Sequence, residues 1–478
     1  MEKPYKVILR RCDQYNVDQI AAIVIEGMEE LGVKPSGKVL LKPNAVIAHK
    51  ELFPHAFTRK EFLDGVITAV KALVEDSAEI AIGERSGLTI PTRFSFKFAG
   101  YPAVIKKHKL KTYYFEEVKH LPVKLDNPAA LRKQVFIPKP ITETDFLINL
   151  PKFKSHPWSW LTLSLKNYIG LQDDRHRLVD HNAFLEHKIA DLQEVIQPKF
   201  IAIDAIIAGE KTMLTPDPFP MGVIVMGTNS CAVDTVGCYM VNLVPDQVLH
   251  LKYSSERGYG PKSLDKIDIG GDYSLDELQE KNKNFQFCVE RIDKFFSNGS
   301  NLKCTVGLFP ENHSKDYCWG GCPGALQEAM NIAKSIQPSV LTDMKKVRYV
   351  VGEVQGELDL EEDEKAIFAG DCTSYVGKIN GLNVNIKSNY RTSKEVDETK
   401  TRSNDLLKKT FQTLIHINKN RNKRYIHVKG CPVNVPEHIH FLSGLGGFKN
   451  FNFDRRILLP INIAYWNMRF HRFLNLWK

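Results

Sequence analysis

Short apolar runs alternate with helical patterns through the first half of the chain. Lys6-Val7-Ile8-Leu9-Arg10 reads as a strand, and apolar positions recur at helical spacing from 18 to 31, stopping at Gly32. Residues 38–41 give a second strand, which runs into Lys42-Pro43-Asn44, and 62–73 give a second helix. Residues 79–82, 145–149 and 200–203 are further strands, ending at Gly83-Glu84, at Leu150-Pro151-Lys152 and at Asp204. This rhythm predicts an α/β fold with mostly parallel sheets. Ligands of such sheets bind at the carboxyl ends of the strands, where these polar residues fall.

The rhythm lapses over 255–300, a polar, lysine-rich stretch expected to connect two modules. It resumes from 301, with strands at 348–351 before Gly352-Glu353, at 366–369 before Gly370-Asp371-Cys372, and at 425–428 before Gly430-Cys431-Pro432. A basic helix and turn is expected over 385–424, with Lys408, Lys409, Lys419, Arg421, Lys423 and Arg424. Residues 455–478 mix Trp466, Phe470, Phe473, Leu476 and Trp477 with Arg456, Arg469, Arg472 and Lys478. That is the composition of an interfacial amphipathic helix; a helix docked on the protein's own core fits it as well. The expected organisation is two doubly wound α/β modules, 1–254 and 301–454, joined by 255–300 and followed by the 455–478 helix.

A length of 478 residues exceeds one ordinary core, and 43% hydrophobic with 25% charged residues describes a globular protein. No apolar leader follows Met1, and no run reaches the ~20 apolar residues of a membrane span, so a cytoplasmic location is expected. The net charge of +9 suits an anionic small molecule, an acidic electron donor or a lipid surface. No zinc-finger spacing, RNP motif or helix-turn-helix signature points to nucleic acid.

Nine cysteines in a reducing compartment suggest ligation or burial rather than disulfides. Four share a glycine-rich setting: Cys318 and Cys322 in Tyr-Cys-Trp-Gly-Gly-Cys-Pro-Gly, Cys372 in Gly-Asp-Cys-Thr, and Cys431 in Gly-Cys-Pro. Four thiolates are what a [4Fe–4S] cluster needs. The spacing is too dispersed for a ferredoxin insert and lacks the tight pairs zinc prefers. Strand-end loops of a parallel sheet can nevertheless bring such residues to one crevice. Buried, unligated thiols are the alternative, and Cys304 is the first substitute ligand. The order of loops resembles that of the small subunits of hydrogenases and of complex I, which hold a [4Fe–4S] cluster. The first pair here is Cys-x3-Cys, wider than in those families.

The first module holds Lys42, Lys152, Lys154 and Lys166 near strand ends, with His156, His176, His181 and His187. Such a set suits a carboxylate, phosphate or nucleotide. His156 is the first candidate for moving a proton, with Asp204 or Asp234 to orient it. Residues 173–177 are expected to form a charged loop over the site. Lys42-Pro43-Asn44, Asn149-x-Pro151-Lys152-x-Lys154-x-His156, Thr162-x-x-x-Lys166-Asn167-x-x-Gly170 and Ala232-Val233-Asp234 resemble domain of unknown function family 362, over about 5–245. The resemblance implies a fold akin to the lactate racemase family and, in some members, iron–sulfur modules.

The expected function is an iron–sulfur oxidoreductase passing single electrons from a [4Fe–4S] cluster to an anionic small molecule, with reduction of an unsaturated bond as a reaction type. The catalytic candidates are His156, Lys152 and Lys166. Lys42, Asn44, Lys154, Asn167 and His181 would bind substrate, and Cys318, Cys322, Cys372 and Cys431 would ligate the cluster. A ferredoxin-like donor, a membrane contact through the last helix and a homodimer complete the expected partners. A racemase using His156 and His181, or a non-catalytic electron carrier docking through 408–424, are the alternatives.

Overall fold

The computed structural model describes residues 4–476 apart from 76, 174–176, 178, 183, 311–316, 391–414, 416–418 and 420–422. It is α/β, and it divides into two compact units. The first comprises 1–173, 186–288 and 460–478; the second comprises 174–185 and 289–459.

The first unit is built on one sheet. Its strands are β1 (Tyr5–Arg11), β2 (Lys38–Pro43), β3 (Glu79–Glu84), β4 (Lys111–Tyr114), β7 (Phe146–Leu150), β8 (Lys152–His156), β9 (Trp160–Thr162), β10 (Phe200–Glu210), β11 (Asp217–Phe219), β12 (Val223–Gly227) and β13 (Ile267–Gly271). A separate antiparallel pair is β5 (His120–Lys124) and β6 (Gln134–Pro138). The main order is β13-β1-β12-β10-β7-β2-β3-β4. Only β12 runs against its neighbours on this path; the other pairings are parallel. β7, β12 and all of β2 but Lys38 are buried, as strands covered on both faces must be.

Two sequence expectations change here. The 255–288 stretch is no connector: β13 pairs in parallel with β1, and a capping box at Ser274 and Glu277 starts the helix Leu275–Lys281. Its polar look reflects an edge strand, open to water on one side. The strand from Phe200 does not end at Asp204 but continues to Glu210. Asp204 is tolerated mid-strand because its charge is matched by Lys152 across the β10–β8 pairing.

The second unit has a parallel sheet ordered β14 (Leu302–Val306), β15 (Val347–Val351), β17 (Lys365–Ala369), β20 (Tyr425–Val428). A small sheet of β16 (Glu353–Leu358), β18 (Ser374–Ile379) and β19 (Leu382–Ile386) stands beside it. The helices Cys322–Ile336 and Val435–Gly446 pack Leu326, Met330, Phe441 and Leu442 onto Val347, Tyr349 and Ile367. Residues 382–386, at the start of the expected basic helix, are strand; Lys408, Lys409 and Arg421 lie outside the described residues.

Candidate functional site

The lysines of the first unit are buried and matched. Lys42 Nζ meets Glu84 Oε2 at 2.7 Å, with both side chains almost fully covered. Lys152 Nζ lies 3.0 Å from Asp204 Oδ1 and donates to Tyr15 Oη at 2.8 Å. Tyr15 Oη in turn donates to Asp204 Oδ1 (2.8 Å), and Arg59 N donates to Asp204 Oδ2 (3.0 Å). Lys154 Nζ donates to the carbonyls of Ala56 (2.8 Å) and Met213 (3.2 Å). Lys166 is buried within reach of Glu186, whose carboxyl is raised by burial but held below its ordinary range by His250, Lys166 and Ser159. The expected open cationic patch is therefore a set of internal pairs, because a buried ammonium is costly unless a partner offsets it.

Burial pulls the Lys152 ammonium below its ordinary pKa, and Asp204 opposes that shift. Burial and Asp204 push the Tyr15 hydroxyl well up, so it stays protonated. His55 is lowered to about 4 by burial and by the charges of Lys152 and Arg59. The chain also stacks Arg59 over the Tyr15 ring at 5.2 Å. Tyr15, His55 and Arg59 went unnoticed in the sequence. The one available signal was position: they lie in the segments following β1 and β2, at the carboxyl ends of parallel strands.

The asparagines form a relay. Asn44 Nδ2 donates to Asn167 Oδ1 (3.1 Å), Asn167 Nδ2 to Asn149 Oδ1 (2.8 Å), and Asn149 Nδ2 to Ser164 Oγ (2.8 Å). Asp234 accepts from Ser164 N and Leu165 N (2.8 and 2.9 Å), and burial raises its carboxyl to about 7. Asn44 and Asn167 thus tie strand-end loops together. Gly170 is required by close approach: a Cβ there would stand 2.4 Å from Glu84 Oε1. His156 Nδ1 accepts from Trp158 N and Ser159 N (3.4 and 3.3 Å), which gives that histidine the task of holding its own turn. Asp204 and Asp234 serve Lys152 and the 164–165 turn instead of orienting His156. His181 falls in the second unit, its Nδ1 3.2 Å from the Gly320 carbonyl. His187 stacks on Tyr253 at 4.1 Å. Of the expected loop at 173–177, Asp174, Arg175 and His176 lie outside the described residues, and Asp173 Oδ2 is 3.7 Å from His120 Nδ1.

In the second unit the four cysteines come together. Cys322 opens the helix Cys322–Ile336, with Pro323 in its first turn. Cys372 and Cys431 follow β17 and β20, and Asp371 latches these loops: its N donates to Gly430 O and its Oδ1 accepts from Gly430 N, both at 2.9 Å. Gly370 (φ 102°) and Gly430 (φ 151°) hold backbone that other residues resist. A Cβ on Gly370 would sit 3.0 Å from Cys322 Sγ and 3.7 Å from Cys372 Sγ; one on Gly321 would sit 2.5 Å from Cys318 Sγ. Burial pushes the Cys322 thiol well up, and Cys372, Cys431 and Cys318 push it further. Cys372 is raised to about 12 by burial, then by Cys431. N–H groups that point at sulfur include Val433 N to Cys322 Sγ (3.3 Å) and Asn182 Nδ2 to Cys431 Sγ (3.6 Å). Among the described residues, no group of three or more His, Cys, Asp or Glu is arranged to hold a metal ion.

The first unit is thus a mostly parallel α/β sheet with a hydrogen-bonded polar network at its strand ends, in which the buried Asn44 Oδ1 is left without a hydrogen bond, and the second a smaller one that gathers four thiols. Residues 39–239 match the family model described as "Domain of unknown function (DUF362)", which spans all four motif segments read from the sequence. A thylakoid-associated protein of Synechocystis sp. is 25% identical over 272 residues, covering 54% of this chain and 81% of that protein. Among solved structures, the lactate racemase apoprotein from Thermoanaerobacterium thermosaccharolyticum has a TM-score of 0.31 at 12% identity, covering 72% of this chain and 69% of that one. A protein from Thermotoga maritima has a TM-score of 0.29 at 7% identity, covering 81% and 94%. Likeness at these scores carries no argument about activity.

Proposed function

We propose that this chain is an iron–sulfur oxidoreductase whose second unit holds one [4Fe–4S] cluster through Cys318, Cys322, Cys372 and Cys431. The observation that carries this reading is the convergence of four dispersed cysteines around the Gly370 and Gly430 loops. The residues fit the group. Glycine stands where a side chain would press on the sulfurs, N–H donors face them, and Cys322 sits at a helix N-terminus that favours negative charge. A cluster would spread its four ligands around a larger core than one ion does. When bound, such a cluster supplies single-electron transfer.

The first unit would bind an anionic small molecule at its strand ends. Arg59, a third of its side chain exposed and its Nε 3.4 Å from Glu61 Oε2, would be the cation nearest the anion. Lys152 and Asp204 hold the protonated Tyr15 hydroxyl in place, and Lys152 is the reserve from which a proton given up at Tyr15 Oη is replaced. The electron donor would be an external one-electron carrier of the ferredoxin class. Anaerobic preparation with iron and sulfide analysis tests the reading: about four of each per chain is expected, and iron-free protein from iron-replete anaerobic cells overturns it.

A further inference from the structure

After β19 the chain returns to the Cys372 loop and is tied there at one residue. Asn389 N donates to the Asp371 carbonyl at 2.7 Å, and Ser388 Oγ donates to the same oxygen at 2.9 Å. Ser388 Oγ also accepts from Tyr390 N at 3.2 Å, a local bond that fixes where the tyrosine leaves the backbone. Asp371 is the residue that latches Gly430, so the Cys372 loop, the Cys431 loop and 388–390 all meet on it. Ser388 and Asn389 are exposed, while Tyr390 is half-buried and packs against the apolar core that contains Cys318, Cys322 and Cys372. Those three cysteines are buried; Cys431 is the most exposed of the four.

The Tyr390 hydroxyl lies in the field of these sulfurs. Burial pushes it well up, then Cys431, Cys372 and Cys318 in that order, and Asp180 after them. It stays protonated, an O–H donor among groups that become thiolates once a cluster is bound. We propose, resting on the cluster reading above, that Tyr390 covers the Cys431 side of the cluster, its ring keeping water off and its hydroxyl donating to sulfur. A phenol suits both tasks, because it joins an apolar body to a polar tip. Hydrogen bonds to sulfur and exclusion of solvent are two of the levers by which a protein sets a cluster's potential. Tyr390 is thus a positioning residue of the cluster site. Asp180 is the competing acceptor: a hydroxyl that donates to its carboxylate would leave the sulfurs untouched.

The test uses the full chain, purified anaerobically, as the parent and as Tyr390→Phe and Tyr390→Ala. Tyr390→Phe keeps the ring and loses the donor. Its reduction potential should fall below the parent's in a redox titration, while bathophenanthroline disulfonate withdraws iron at the parent's rate. Tyr390→Ala removes the cover as well, and iron should leave about tenfold faster, in line with the loss of other groups that surround a metal site. Tyr390→Phe separates this role from a loosened fold, since it should unfold in denaturant as the parent does and still show the lower potential. A potential unchanged in Tyr390→Phe, as a hydroxyl turned to Asp180 would give, overturns the proposal, and so does iron loss at the parent's rate in Tyr390→Ala. A parent without iron and sulfide defeats the cluster reading and this proposal together; a loaded parent with unmoved variants defeats this proposal alone.

Discussion

Lys42 and Lys152 of the first unit each face a carboxylate, Glu84 at 2.7 Å and Asp204 at 3.0 Å, whereas Cys322 of the second faces Cys372, Cys431 and Cys318, groups of its own kind. Both centres are buried polar sets at the carboxyl ends of parallel strands. In the first, opposite charges offset the cost of leaving water, and an asparagine relay satisfies the loops around them. In the second, ionising Cys322 or Cys372 is opposed both by burial and by neighbouring thiols. The lysines are matched by charges and carbonyls of the chain itself, while the proposed cluster would supply the cysteine set with a cationic core.

The comparison breaks most sharply at Asp204. Asp204→Asn should leave the Lys152 ammonium buried without its counter-charge and destabilise the first unit by about 3–5 kcal/mol. Denaturant unfolding measures this, and Lys152→Met on top of it should recover a large part of the loss. A smaller loss should come from acid in the second unit. His438 is fully buried; its Nδ1 donates to Asn434 O (2.9 Å) and its Nε2 accepts from Tyr349 Oη (2.8 Å). Burial lowers its pKa from 6.5 to about 4. Between those values the unfolded chain binds the extra proton, so stability present above pH 6.5 falls as pH drops toward 4, by on the order of 2–3 kcal/mol from this residue. Unfolding at pH 7 and pH 4.5 should show it, with a shallower fall in His438→Gln.

How far could these centres be read in the chain itself? The strands at 6–10, 38–41, 79–82, 348–351, 366–369 and 425–428 were legible because apolar runs bounded by Gly or Pro are a local signal. The gathering of Cys372 and Cys431 was legible for a related reason, since both directly follow such strands. The pairing of Lys42 with Glu84 and of Lys152 with Asp204 was not, because it depends on which strands become neighbours. The β2–β3 and β8–β10 pairings bring together residues 42 and 52 positions apart, and periodicity carries no trace of those pairings. Tyr15 and Asn182 escaped because each sits in a loop with no pattern of its own. Residues 174–185 fold with the second unit, so His181 left the lysines for the cysteines.

Two smaller changes sharpen the contrast further. Gly170→Ala puts a Cβ 2.4 Å from Glu84 Oε1, which accepts from Arg85 N while Lys42 holds Oε2 of the same carboxylate, and should cost about 1–3 kcal/mol in thermal unfolding. Asn182→Ala removes one N–H donor from Cys431 Sγ and leaves the fold in place. With iron and sulfide bound, its reduction potential should fall by a few tens of millivolts in a redox titration, because hydrogen bonds to sulfur favour the reduced, more negative state.

The central claim is that four cysteines of the second unit share one cluster. Low-temperature EPR of the anaerobically purified, dithionite-reduced chain tests it most directly when run beside single Ser replacements of Cys318, Cys322, Cys372 and Cys431, with Cys238→Ser in the first unit as control. The account predicts one spin per chain from a reduced cluster, lost or altered in each of the four variants and unchanged in the control. A silent parent, or a signal untouched by all four replacements, would contradict it.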